Sequence, residues 1–247
     1  MFTERKRNDG MDGELVPLPD DDVFLGTRLC PRPTAVQGAI SRLKNGIAAE
    51  KRSGRDLTAP CFHNLFTFYS AWTFAFATGV RAIAEPYIDP YEISRLNSTG
   101  LLRDKDSDSG GKAKLVWIPP RVKEQMHHYS HYIGDSPDRH SSAEPIYFLD
   151  ENGKHQVVRP KSLEPYMAQY LPGFPIGVHR RFMFNALIDS GCPPQAVRVW
   201  MGHALTGDEP WSRFASFSYA AHRLVLSKYL LPILAYLGFE PVSGARE

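Results

Sequence analysis

The chain has 247 residues, 43% hydrophobic and 12% aromatic, which supplies a substantial core for one large domain or two small ones. Its net charge of +2 hides an asymmetry, because residues 1–25 carry seven acids against three bases and leave the rest at +6, a balance that suits a polyanionic ligand. Cys30, Cys61 and Cys192 are odd in number, far apart and without a CxxC pair, which argues against a disulfide framework or a Cys-rich zinc site and for a reducing compartment.

The N-terminus, MFTERKRNDGMDGEL, has no apolar core of the signal-peptide kind. The apolar run Tyr229–Phe239 is too short to span a bilayer and contains Pro232. The expectation is a soluble, cytoplasmic protein with no membrane partner.

Residues 1–25 are acidic and rich in Gly, Pro and Asp, and are expected to lack fixed structure. From Thr34 to Lys51, Val36, Ile40, Leu43 and Ile47 recur every three or four residues, which predicts an amphipathic helix. The stretch Cys61–Thr78, CFHNLFTFYSAWTFAFAT, leaves little polar face and predicts a central, buried helix that Gly79 is placed to stop. Arg81 follows at once. A cation just beyond a buried helix needs a charged partner, such as Glu85 or Glu92, or a cleft to face.

Residues 82–98, with Pro86 and Pro90, are too punctuated for one regular helix. Leu101–Arg103 and Lys114–Ile118 flank the Gly-rich turn Ser107–Gly111 and predict a β-hairpin, ended by Pro119-Pro120. Val122–Tyr132 reads as helix, Asp135–Glu144 as loop, and Ile146–Leu149 as a short strand before a turn at Glu151-Asn152-Gly153. Ser162 is expected to cap a helix through Tyr170, and Pro172 and Pro175 to break the chain. Ala220–Leu237 reads as a helix that Pro232 kinks or splits. The fold class is therefore mainly α with a small antiparallel β-sheet.

Reactive side chains concentrate between Gly177 and Tyr219. His179, Arg180 and Arg181 open a helical segment in which Met183 and Leu187 share a face. Gly191-Cys192-Pro193-Pro194 turns the chain, and Pro194 suits a helix start. Ala196, Val197, Trp200 and Met201 form an apolar face, and Gly202 supplies a left-handed stop that exposes His203. Trp200, Trp211, Phe214 and Phe217 read as core, as do Tyr229 and Tyr236. His127 and His131 have helical spacing but no Glu between them, so with His128 and His140 they read as solvated, not as metal ligands.

This pattern resembles the catalytic domain of tyrosine recombinases of the phage-integrase type. That family has a Gly-led turn eleven residues after an Arg, and Gly-His at twenty-two and twenty-three; counted from Arg180, these fall on Gly191 and Gly202-His203 without a gap. Thr78-Gly79-Val80-Arg81 resembles the family's Thr-Gly-x-Arg at the end of a buried helix. Lys105 and the run from Lys114 to Pro119 resemble its lysine-bearing hairpin. The three blocks occur in the family's order, and the resemblance covers Thr34 to Leu237.

The resemblance implies that residues 26–247 form a single integrase-like catalytic domain that cleaves and rejoins duplex DNA through a 3′-phosphotyrosine, without cofactor or metal. Arg81 and Arg180 would hold the phosphate bidentately, and His203 would donate to it. Lys105, or else Lys112 or Lys114, would protonate the leaving oxygen. Tyr219 would be the nucleophile. Other protomers on DNA would be the partners, and a mobile element the setting.

Two positions depart from the family. Its His or Lys three residues before the second Arg is Gly177 here, so either His179 and Arg181 take over that phosphate contact or it is missing. Its tyrosine nine residues after the His is Ser212, which leaves Tyr219, sixteen residues on, as the candidate. These departures keep open a catalytically impaired, recombinase-fold DNA-binding or accessory protein. About 35 residues precede the first amphipathic helix, so the family's separate DNA clamp is expected to be absent or cut away, and binding to be weak and salt-sensitive.

Overall fold

The computed structural model describes residues 30–81, 98–102, 114–134, 146–203 and 218–245. The expectations for the acidic tail, for residues 82–97, for the hairpin turn, for the loop at 135–145 and for residues 204–217 lie outside them.

The Val36–Ile47 stripe forms α1 (Pro33–Arg52), with Val36, Ala39, Ile40, Leu43 and Ile47 all buried. Pro33 presets the first turn, and Lys51 and Arg52 complement the negative end of the helix dipole in the last. Helix α2 (Pro60–Thr78) is the axis of the fold, buried at every residue from Phe66 to Thr78. A helix that is apolar all round must be wrapped by others. The few polar groups inside it are satisfied locally: Thr73 and Thr78 donate to Tyr69 and Phe74 carbonyls, and Ser70 accepts from Gln125.

Around α2 pack α1, α3 (Pro120–Gly134), α5 (Val178–Asp189) and α7 (Tyr219–Leu237). The predicted hairpin is present: β1 (Thr99–Leu102) and β2 (Lys114–Trp117) run antiparallel with Leu102 opposite Lys114. A second, smaller hairpin pairs β3 (Tyr147–Leu149) with β4 (His155–Val157) and lies on α2. Strand β4 had no sequence signal, because His155-Gln156-Val157 is short and mostly exposed, so no alternation marks it.

Three expectations are corrected. Ser162 does not cap α4 (Glu164–Tyr170); it closes a preceding 3-10 turn, Pro160–Leu163, by accepting from Arg159 N–H and donating to the Arg159 carbonyl. Pro232 does not split α7, which runs unbroken past it with the ring on the exposed face, where a lost N–H costs least. Tyr236 is not core, being 56% exposed, because the buried stripe of α7 is His222, Leu226, Leu230, Leu234 and Leu237.

His127 and His131 are exposed on α3, and among the described residues no group of His, Cys, Asp or Glu is arranged to hold a metal ion. The three cysteines are free thiols. Among the described residues no helix is long and apolar enough to cross a membrane.

Gly79 controls how closely α2 meets α6 (Pro194–Met201). Its φ is +59°, and a Cβ there would lie 2.7 Å from Cη2 of Trp200. Gly79→Ala is therefore expected to cost about 2–4 kcal/mol, combining left-handed strain with overpacking against a buried indole. Urea unfolding of the variant checks this, and a loss below about 0.5 kcal/mol would show that Trp200 yields without penalty.

Candidate functional site

The site is built where two helices end side by side. Helix α2 stops because Gly79 turns left-handed, its N–H donating to the Ala75 carbonyl at 2.9 Å. Helix α6 stops at Gly202, φ +69°, where Gly202 N–H bonds the Val199 carbonyl and His203 N–H the Arg198 carbonyl, both at 2.9 Å. That double closure fixes the backbone of His203 and leaves its side chain exposed. Trp200 ties the two ends together by donating Nε1–H to the Ala77 carbonyl at 2.9 Å.

Both helix ends present carbonyls to one space, and Arg180, from the first turn of α5, enters it. Its Nη1 donates to the Gly79 carbonyl at 2.5 Å and its Nη2 to the Met201 carbonyl. A guanidinium placed at the negative ends of two helices is favoured there. Nη2 of Arg180 and Nη2 of Arg81 each lie 3.4 Å from Nε2 of His203. Arginine only donates, so in this arrangement Nε2 accepts and the ring proton sits on Nδ1. Two guanidinium forks converging on one exposed imidazole make a cradle for an oxyanion.

The structure thus brings Arg81, Arg180 and His203 together. Among the described residues, His179 and Arg181 stand elsewhere. His179 is not at the surface of the site: it is 1% exposed, with Nε2 2.8 Å from the Val80 carbonyl and Nδ1 3.2 Å from the Ile176 carbonyl, so it is corrected from phosphate ligand to buried brace. Arg181 is also corrected as a substitute ligand for the same phosphate. One residue on from Arg180, it points round the helix to the side where Asn185 donates to Cys30, and its charge acts on that thiol. Gly177 precedes α5 and offers only its carbonyl, which accepts from Arg180 N–H at 3.2 Å.

Tyr219 is the first residue of α7, half-buried, behind a Ser218 cap whose hydroxyl accepts from Ala221 N–H at 3.1 Å. Its ring faces that of His222, one turn on, at 6.4 Å between centroids. Burial of His222 lowers its pKa to about 4, so a neutral ring stands beside the phenol across the physiological range. Helix α7 packs on both α5 and α6. Lys114 lies in β2, whose strand packs on α6; Lys105, Lys112 and Ser212 lie outside the described residues.

Sequence reasoning missed the bracing roles of Trp200 and His179. Trp200 reads as core, and nothing local marks its N–H as a cap for a helix more than a hundred residues earlier. Compared with protein-family models, curated proteins and solved structures, the chain matches none of them.

Proposed function

We propose that the chain is a tyrosine-type DNA strand transferase with an integrase-like catalytic fold, acting on duplex DNA inside the cell together with other protomers. The observation that carries this reading is the meeting of Arg81 and Arg180 at His203, three side chains from separate segments gathered at paired helix ends.

In this reading a backbone phosphate sits between the guanidinium groups of Arg81 and Arg180, which neutralise its non-bridging oxygens. Tyr219 gives up its proton to solvent water, its phenolic oxygen attacks phosphorus, and the bond to the 5′-oxygen breaks. Lys105, or else Lys112 or Lys114, supplies the proton that the 5′-oxygen takes. The 3′-phosphotyrosine keeps the bond energy, so attack by a 5′-hydroxyl rejoins the strand without ATP or metal. His203 changes role along this path: Nε2 accepts from the arginines before binding and donates to the phosphate when the ring proton sits on Nε2 instead of Nδ1.

A second reading has a specific basis. Gly177 has no side chain where the family places a phosphate ligand, and Ser212 stands where it places the nucleophile. Both favour a chain that holds DNA without cutting it.

A pool of nicked duplexes of randomised sequence separates the two. The strand transferase is expected to leave a covalent adduct that resists denaturant and disappears in Tyr219→Phe. Salt-sensitive binding without an adduct supports the holding role. An adduct that persists in Tyr219→Phe moves the nucleophile elsewhere, and absence of any salt-sensitive DNA binding rules out both readings.

A further inference from the structure

The end of α2 is unusual in how its carbonyls are used. The last four carbonyls of a helix have no partner within it. Here donors from other helices take that region over: Trp200 Nε1 binds the Ala77 carbonyl at 2.9 Å, Arg180 Nη1 the Gly79 carbonyl at 2.5 Å, and His179 Nε2 the Val80 carbonyl at 2.8 Å. His179 and Arg180 are consecutive residues in the first turn of α5, and Gly79 and Val80 are consecutive residues after α2. Two adjacent side chains therefore grip two adjacent peptide units.

The next residue is Arg81. Its peptide N–H belongs to the same planar unit as the Val80 carbonyl, so an anchor on that oxygen fixes where the Arg81 backbone starts. The other nitrogen of the His179 ring, Nδ1, faces the Ile176 carbonyl at 3.2 Å, immediately before α5. The imidazole thus spans from the segment leading into α5 to the peptide that carries Arg81. It is 1% exposed, and the ring of Phe76 lies against it at 5.9 Å between centroids, so it reaches neither a polymer nor solvent.

We infer that His179 is a positioning residue that sets Arg81 through the Val80 carbonyl, so that the first turn of α5 places both arginines of the site, one directly and one through the backbone. The inference rests on the reading of Arg81, Arg180 and His203 as an oxyanion site. His179 touches no phosphate. What it supplies is the fixed separation between two guanidinium forks, on which bidentate capture depends.

Inorganic phosphate is the probe, followed by phosphorus NMR titration of the full chain, with the side-chain Nε–H resonances of Arg81 and Arg180 recorded in its absence. His179→Leu keeps an apolar filling but removes the donor. His179→Gln keeps an amide donor near the position of Nε2. His179→Leu is expected to weaken phosphate binding about tenfold in the parent chain and less than about twofold in an Arg81→Ala background, since the effect is transmitted through Arg81. His179→Gln is expected to restore affinity to within about threefold.

Without phosphate, His179→Leu is expected to broaden or shift the Arg81 resonance and leave that of Arg180 in place, because Arg180 keeps its own carbonyl partners. Equal weakening in both backgrounds, an unchanged Arg81 resonance in folded His179→Leu protein, or a folded His179→Gln chain that binds phosphate as weakly as His179→Leu, would overturn the inference. A parent chain that binds no phosphate while Arg81 still responds to His179 would instead sink the oxyanion reading and leave the positioning intact.

Discussion

Arg180→Lys keeps the charge of the site and is nevertheless expected to lose about 2–3 kcal/mol of stability together with most of the phosphate affinity proposed for it. The guanidinium spans two helix ends at once, donating to the Gly79 and Met201 carbonyls while Nη2 stays 3.4 Å from His203. A single ammonium cannot reproduce a planar fork that reaches both oxygens and the site. One carbonyl is left without this donor, at roughly 1–3 kcal/mol, and the two helix ends lose their shared clamp. Arg180→Ala removes this donor from both, and about 3–4 kcal/mol is expected.

Arg81→Ala makes the contrast. The contact described for Arg81 joins it to the His203 side chain and not to a helix-end carbonyl, so the expected loss is chiefly of the phosphate affinity proposed for the site, with a smaller stability change than for Arg180→Ala. Urea unfolding and phosphate titration of the three variants check this. An Arg180→Lys chain within about 0.5 kcal/mol of the parent would show that the bridge between helix ends carries no weight.

That double duty explains why the site was half-readable in advance. Spacing within one segment survives folding unchanged: Arg180, Gly191 and His203 are held in register by two short helices and two left-handed glycines. Likewise Thr78-Gly79 marks the end of a helix with no polar face, so Arg81 had to emerge at the edge of the core. What no local pattern encodes is which donors meet which carbonyls across the core. His179 next to Arg180 looks like another cation for the ligand, but at 100° per residue it turns inward and Arg181 turns away.

The same distinction runs through the fold. Helices α1, α2, α3 and α7 were legible because apolar periodicity and buried length set them. Strand β4 and the turn at Ser162 were not, since pairing with β3 and a local hydroxyl bond to Arg159 decide them.

Acid is expected to unfold the chain through two histidines that lie outside the candidate phosphate cradle. His63 is 3% exposed and His222 1% exposed, and burial is the chief cause that lowers each pKa from 6.5 to about 4. For His63 the charge of His155 adds to the lowering, while the bond to the Tyr147 carbonyl opposes it. The neutral ring of His63 donates from Nε2 to that carbonyl at 3.0 Å, and its Nδ1 lies 3.1 Å from the Tyr132 hydroxyl. In the unfolded chain both rings take up a proton near 6.5; in the folded chain they refuse it until about 4.

The folded pKa is the lower one, so the stabilisation is complete above 6.5 and is lost as pH falls towards 4. The slope is at most about 1.4 kcal/mol per pH unit for each ring, or about 3 kcal/mol each over the window. Glu240, whose carboxyl is held below its ordinary range by Lys44, is largely exposed, so it adds little within that window. Urea midpoints measured at intervals from pH 7.5 to 4.5 should fall steeply in the parent. His63→Gln retains the donor to Tyr147 and should remove about half of the slope, as should His222→Met, and the double variant should be nearly flat. A double variant as acid-sensitive as the parent would place the loss of stability in other groups and leave both imidazoles without a part in it.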